Sequence, residues 1–341
     1  MLRTCRVLYS QAGPSAGGWQ HLCFDGGAFH LKGTGELTRA LLVLRLCAWP
    51  PLVTHGLTLQ AWSRRLLGSR LSGMLLRASI YGQFVAGETT EEVKDCVQKL
   101  QQLGLRPLLA VPIEEEPDSA AKTGEAWYER NFSAMLRCVD LSRGLLETPG
   151  PAGQVLMQLK VTALTSTWLC KELTSWVRGQ GTSLELSPEK LAEAMDSGQC
   201  VFVGFNYAKQ QTQHAAYLFS YSRCLELMLT QVSRRGPMCH LMVASHNEES
   251  AHQATKRMCE LGIPLDGPVC FGQLLGMCDH VSLALGQAGY AVYKSIPYGS
   301  LEEVIPYLIR RAQENQSVLQ GARREQELLR KELRRRLLGR A

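Results

Sequence analysis

Polar residues stand at the ends of three apolar runs, where chemistry could gather. The run LMVA (241–244) ends in Ser245-His246-Asn247, three groups able to hold a phosphate, a sugar or the edge of a heterocyclic ring. The same triplet precedes Glu248 and fits equally well as an Asx-type helix cap. The run from Val269 ends in Gln273-Leu274, and the one from Ala291 ends in Ser295-Ile296-Pro297-Tyr298-Gly299, a turn whose proline and glycine fix its path. Arg310 and Arg311 are adjacent, hence about 100° apart around a helix. Two guanidiniums converging on one anion would grip a carboxylate bidentately; the plainer alternative is a solvated pair, with Glu314 the i,i+4 partner of Arg310. Lys160 lies inside the apolar run VLMQLKVTAL (155–164). Facing a barrel lumen it needs an anionic or hydrogen-bonding partner; at a strand end it would snorkel to solvent.

The elements that must position these residues follow from periodicity. Residues 36–80 alternate Leu, Ala and Arg at helical spacing, broken at Pro50-Pro51 and Gly68, and read as a pair of helices ahead of the main domain. After Gly87, ETTEEVKDCVQKLQQLG places Val93, Val97, Leu100 and Leu103 on one face, with Thr90 as cap and Gly104 as stop. It feeds the apolar run 105–111, suited to a buried parallel strand. A helix over 120–147 and the run 155–164 follow. The rhythm resumes with helix 221–235, strand 240–245, helix 248–261, strand 269–273, helix 276–288, strand 291–296 and helix 301–315. Units of this kind predict an α/β fold of the (β/α)8 TIM-barrel type, with the site on the face formed by the C-terminal strand ends. The count falls short, however: even with CVFVGF (200–205) taken as a strand, about five or six strands can be placed, against the eight of a closed barrel.

Composition narrows the function classes. The 37 basic residues outnumber the 31 acidic ones, but much of the excess sits in the last twenty residues, too local for nucleic-acid binding. The 12 cysteines form no Cys-x-x-Cys, which points to a reducing interior rather than a disulfide framework. The most apolar stretch, 40–62, is cut by Arg45, Pro50 and Pro51, so no membrane span is expected. Residues 1–24 carry Arg3 and Arg6 and no acid, the composition of a mitochondrial transit segment. Residues 25–83 form the N-terminal helical region, 84–315 the barrel, and 316–341 a basic helix. The leucine stripe of that last helix (Leu328, Leu329, Leu333, Leu337, Leu338) suits either an anionic membrane surface or packing on the body.

Several stretches together resemble the FAD-dependent proline dehydrogenase family, in the branch that takes hydroxyproline. They are FVAGE (84–88), LKVTAL (159–164), ASHN (244–247), FGQLLGM (271–277) and YKSIPYG (293–299), the last leading into YLIRRAQEN (307–315). The resemblance implies a flavoprotein oxidoreductase of proline and hydroxyproline catabolism in the mitochondrion, at the matrix or inner-membrane surface, passing electrons to quinone. By the same resemblance, Arg310 and Arg311 would hold the substrate carboxylate and Glu314 would steady them. Lys160 would act at the amino acid near the flavin, Leu274 and Tyr307 would wall the ring, and Ser245, His246 and Asn247 would touch FAD. Proline-preferring members are bulkier where this chain has Ser295, whose hydroxyl could bond a 4-hydroxyl group, so trans-4-hydroxyproline is favoured and proline weakly accepted. The family's three middle strands, with an Asp-x-Glu and a Leu-Val-Arg-Gly-Ala-Tyr motif, have no match in this sequence. The barrel is therefore expected to be incomplete, and the alternative is a catalytically silent truncated barrel binding a partner or a small anion.

Overall fold

Apolar runs and helical periods dictate alternating strands and helices, and the computed structural model describes them over residues 22–113, 125–146, 155–158, 214–236, 239–314 and 322–339. Helices α1 (Thr34–Cys47), α2 (Pro50–Thr54) and α3 (Gly56–Leu76) come first, α3 bending at Gly68. The main unit runs α4 (Thr90–Gln102), β1 (Arg106–Ala110), α5 (Glu125–Leu146), β2 (Leu156–Met157), α6 (His214–Arg235), β3 (Leu241–Ala244) and α7 (Glu248–Glu260). It continues through β4 (Val269–Leu274), α8 (Asp279–Gln287), β5 (Val292–Pro297) and α9 (Leu301–Glu314), and α10 (Arg323–Leu337) follows.

Helix α4 forms as its sequence requires, with one correction. The cap is Thr89, not Thr90: the Thr89 hydroxyl accepts from the Glu92 N–H at 3.2 Å, and the Glu92 carboxylate accepts from the Glu88 N–H at 2.7 Å. Thr90 is already inside the first turn, where Glu91 and Glu92 also suit the helix dipole. Val93, Val97 and Leu100 are buried as the spacing predicts.

Among the described residues, five strands pair, all parallel, in the order β2-β1-β5-β4-β3. The first and last strands, β1 and β5, pair with each other, which is how a (β/α) barrel closes. The two edges, β2 and β3, are consecutive among the described strands. The sheet is thus a barrel wall opened between its second strand and the strand leading to Ser245. Of the run 155–164, β2 covers Leu156–Met157; Lys160 and CVFVGF (200–205) lie outside the described residues.

Strand alternation gives the two faces different environments. The helix-facing set, Leu109, Val243, Phe271, Val292 and Ile296, is buried in the main core with residues of α4, α7 and α8. The concave set includes Ala244 and Leu274, both exposed. The leucine stripe of α10 packs on the body. Leu328 and Leu329 join the main core, the Gln326 amide donates to the Leu44 carbonyl at 3.2 Å, and Arg336 donates to the Phe29 carbonyl at 3.0 Å. Only its end, Leu337 and Leu338, is exposed.

Candidate functional site

Register brings Ser295 and Leu274, two of the residues expected at the site, together. Leu156, Leu108, Ser295 and Leu274 form one row across β2, β1, β5 and β4, and residues in one row of a parallel sheet point to the same face. Ser295 is buried in that row between Leu108 and Leu274, and Leu274 is 45% exposed at its open end. The Ser295 hydroxyl makes no hydrogen bond among the described residues.

The FVAGE segment is fastened to the end of β5. The Ala86 N–H donates to the Pro297 carbonyl at 2.8 Å, the Gly299 N–H to the Gly87 carbonyl at 2.9 Å, and the Tyr81 hydroxyl to the Gly299 carbonyl at 2.8 Å. Gly87 is required here: its φ is 155°, and a Cβ would sit 2.4 Å from that of Glu92. Beside this junction, at the C-terminal ends of β1 and β5, lies a cavity of about 780 Å³ lined by Glu88, Ile113, Arg137, Tyr298 and Arg310 among others.

Helix α9 carries the arginine pair across that end. Leu301, Val304 and Ile305 bury its inner face against Tyr81 and Val85. The two arginines leave the helix about 100° apart: Arg310 lines the cavity, while the Arg311 guanidinium stands 5.9 Å over the Tyr307 ring. The side chain of Glu314 and the whole of Lys160 lie outside the described residues.

At the end of β3 the helix-cap alternative holds. Asn247 caps α7, its side-chain oxygen accepting from the Ser250 N–H at 3.0 Å, and the Ser245 hydroxyl oxygen accepts from the Asn247 N–H at 3.1 Å. His246 Nε2 accepts from the Leu274 N–H at 3.1 Å. Burial, helped by the nearby Lys294 charge, pushes the His246 pKa down to about 4, so the ring is neutral with its proton on Nδ1. What these residues leave over are donors: the Ser245 O–H, the Asn247 amide N–H groups and His246 Nδ1–H have no partner among the described residues. Such a set suits a carbonyl-edged ring or a phosphate, so the residues present fit the β3 side of a flavin nucleotide site.

One functional cluster escaped the sequence reading. Lys294, 1% exposed, points from β5 to the helix side. Its ammonium meets the Asp279 carboxylate at 2.8 Å and the carbonyls of Met277 at 2.6 Å and Leu274 at 3.2 Å. Lys32 also pairs with Asp279. Burial works against the Asp279 charge, but Lys294 and Lys32 outweigh it and hold the carboxyl well below the usual range. Glu325, from α10, accepts the N–H groups of Cys278 and Asp279, each at 2.8 Å, and so caps α8 where Cys278 takes the left-handed conformation (φ 57°). His280 Nε2 lies 2.9 Å from Glu248 and Nδ1 3.9 Å from Glu325. Burial lowers the His280 pKa, but the two carboxylates reverse the shift and leave it raised. This network fixes the loop from Leu274 to Asp279, hence the open wall of the site. Lys294, like Lys160, is a lysine inside an apolar run, a signal already present in the sequence.

A family model described as Proline dehydrogenase matches residues 205–324. Hydroxyproline dehydrogenase of Bos taurus is 62% identical over 454 positions, covering 100% of this chain and 98% of that protein. The Homo sapiens protein of the same name is 62% identical over 452, covering 99% and 98%. Both alignments are longer than the chain's 341 residues, so these relatives carry residues with no counterpart here. Among solved structures, the crystal structure of proline utilization A (PutA) from Bdellovibrio bacteriovorus inactivated by N-propargylglycine aligns with a TM-score of 0.53 at 16% identity, over 88% of this chain and 40% of that one. At that identity the likeness is one of fold.

Proposed function

Because the chain belongs to the proline dehydrogenase family, we propose that it oxidises trans-4-hydroxyproline, and weakly proline, to the corresponding 1-pyrroline-5-carboxylate with FAD in the mitochondrion, electrons passing to quinone. FAD, when bound, supplies the hydride acceptor. The chain's own residues supply binding and orientation. Ser245, His246 and Asn247 donate to the cofactor. Arg310, from the cavity wall, and Arg311, held over Tyr307, take the substrate carboxylate, with Glu314 steadying them and Lys160 acting at the amino acid. Charge-assisted guanidinium–carboxylate bonds fix the orientation of a small rigid ring better than a point charge could. Leu274 and Tyr307 wall that ring.

The observation that carries the substrate choice is Ser295: a small residue in the floor, in register with Leu274, whose hydroxyl has no partner among the described residues. A 4-hydroxyl group can occupy the room and bond that hydroxyl. Ser295→Tyr fills the room. The ratio of kcat/KM for hydroxyproline to that for proline is expected to fall in this variant. An unchanged ratio would remove Ser295 from the specificity argument.

A second reading is favoured by one feature: among the described residues the sheet ends in two unpaired edges, β2 and β3. A barrel left open there could be catalytically silent and bind a partner or a small anion. Protein that purifies colourless, with melting unchanged by added FAD, would favour this reading.

A further inference from the structure

Helix α3 presents an apolar surface that the described residues leave uncovered. Of its 21 residues only Ser72 is buried. Leu59, Trp62 and Leu66 follow one helical stripe before the bend at Gly68, and Leu71, Met74 and Leu75 follow another after it. All six are exposed, Trp62 by 64% and Leu66 by 77%. Trp49, at the start of α2, is exposed beside them in sequence. Apolar area on this scale is uncommon on a surface that meets only water. A helix that buries almost nothing also lacks the packing that normally stabilises helices in proteins.

The orientation is fixed from inside. The start of α3 lies so close to α9 that a Cβ on Gly56 would come within 2.8 Å of Ile309, and Arg64 pairs with Glu302. These contacts hold one side of α3 against α9 and turn the apolar stripes outward. The charge is one-sided as well. Residues 37–87 contain Arg39, Arg45, Arg64, Arg65, Arg70 and Arg77 and no Asp or Glu, and Arg65 and Arg70 make no ion pair among the described residues. Exposed Trp and Leu edged by unpaired arginine is the pattern of a helix lying in an anionic interface. No helix among the described residues is long and apolar enough to cross a membrane.

We propose that α2 and α3 form a docking surface for an anionic phospholipid bilayer. Trp62, Leu66, Leu71, Met74 and Leu75 enter the boundary between headgroups and acyl chains, while Arg65 and Arg70 pair with lipid phosphates. The surface is α3, not the basic helix α10, whose leucines are mostly used on the body. Lipid binding by this surface does not depend on turnover, because Trp62, Leu66, Arg65 and Arg70 have no part in the substrate or flavin contacts assigned above.

The test is flotation of the full chain with vesicles of phosphatidylcholine alone or mixed with cardiolipin. The chain is expected to float with the mixed vesicles, far less with phosphatidylcholine alone, and less as salt rises. Arg65→Gln and Arg70→Gln should each weaken binding about fivefold. The combined variant Trp62→Ser, Leu66→Ser, Met74→Ser should abolish it while the melting temperature stays unchanged. Leu337→Ser with Leu338→Ser in α10 should leave binding intact. A wild-type chain that stays unbound overturns the proposal, as does binding that survives both sets of α3 changes or is lost with the α10 pair. A wild-type oligomer that the serine variant dissolves, with no vesicle binding, overturns it in favour of a second copy as the occupant.

Discussion

Replacing Asp279 by Asn removes one negative charge at nearly constant shape and strands the Lys294 ammonium. In the native chain that ammonium has an acceptor for each of its three protons: the Asp279 carboxylate and the carbonyls of Met277 and Leu274. After the change the two carbonyls remain, but no carboxylate neutralises a cation that is 1% exposed. Breaking a buried ion pair from one side costs about 3–5 kcal/mol, most of it the cost of the unpaired charge. Lys294→Met is expected to cost less, because Asp279 keeps Lys32. Combining the two should be milder than Asp279→Asn alone, since the stranded cation is gone. Urea unfolding followed by far-UV circular dichroism gives all three values and the coupling between them. A loss below about 1 kcal/mol for Asp279→Asn, or strict additivity in the double variant, would refute the claim that the pair is buried and mutually dependent.

Arg310→Ala should lower kcat/KM for hydroxyproline by about ten- to a hundredfold, the loss of one charge-assisted bond of roughly 1.5–3 kcal/mol. Arg310→Lys should recover part of it, and steady-state kinetics on both variants checks this. His280 predicts a pH dependence of stability with a definite sign. Its folded pKa is raised above 6.5, so its contribution is fully present below that value and is lost as pH rises through the folded pKa. The melting temperature should therefore fall across that window, and His280→Asn should flatten the fall. An unchanged slope in the variant would show that the Glu248 and Glu325 contacts do not govern it.

Local features of the fold were legible because they are written locally. The period of Val93, Val97 and Leu100 gave α4, and the apolar runs at 105–111, 240–245, 269–273 and 291–296 gave four of the strands. The cap was off by one because Thr89 and Thr90 are both competent, and only the Glu92 carboxylate selects between them. Strand order was not legible: nothing near Arg106 announces that β1 pairs with β5. The cluster around Asp279 joins Lys32, Lys294 and Glu325, residues far apart in sequence, so it emerges only when both chain ends dock on α8. For α10 the sequence left two environments open, because a leucine stripe looks the same whether it meets a membrane or α1. For α3 the helical spacing predicted a helix but said nothing of its surroundings, and its apolar side faces out. At the site, Leu274 and Ser295 proved to be neighbours in one row, while the adjacent arginines turned to different surroundings.

The direct test of function is the absorption spectrum of the purified chain under anaerobic conditions as trans-4-hydroxyproline is added. Expected is a yellow protein whose flavin band bleaches, with proline bleaching it more weakly. A flavin-loaded sample whose band is untouched by either imino acid would contradict the assignment.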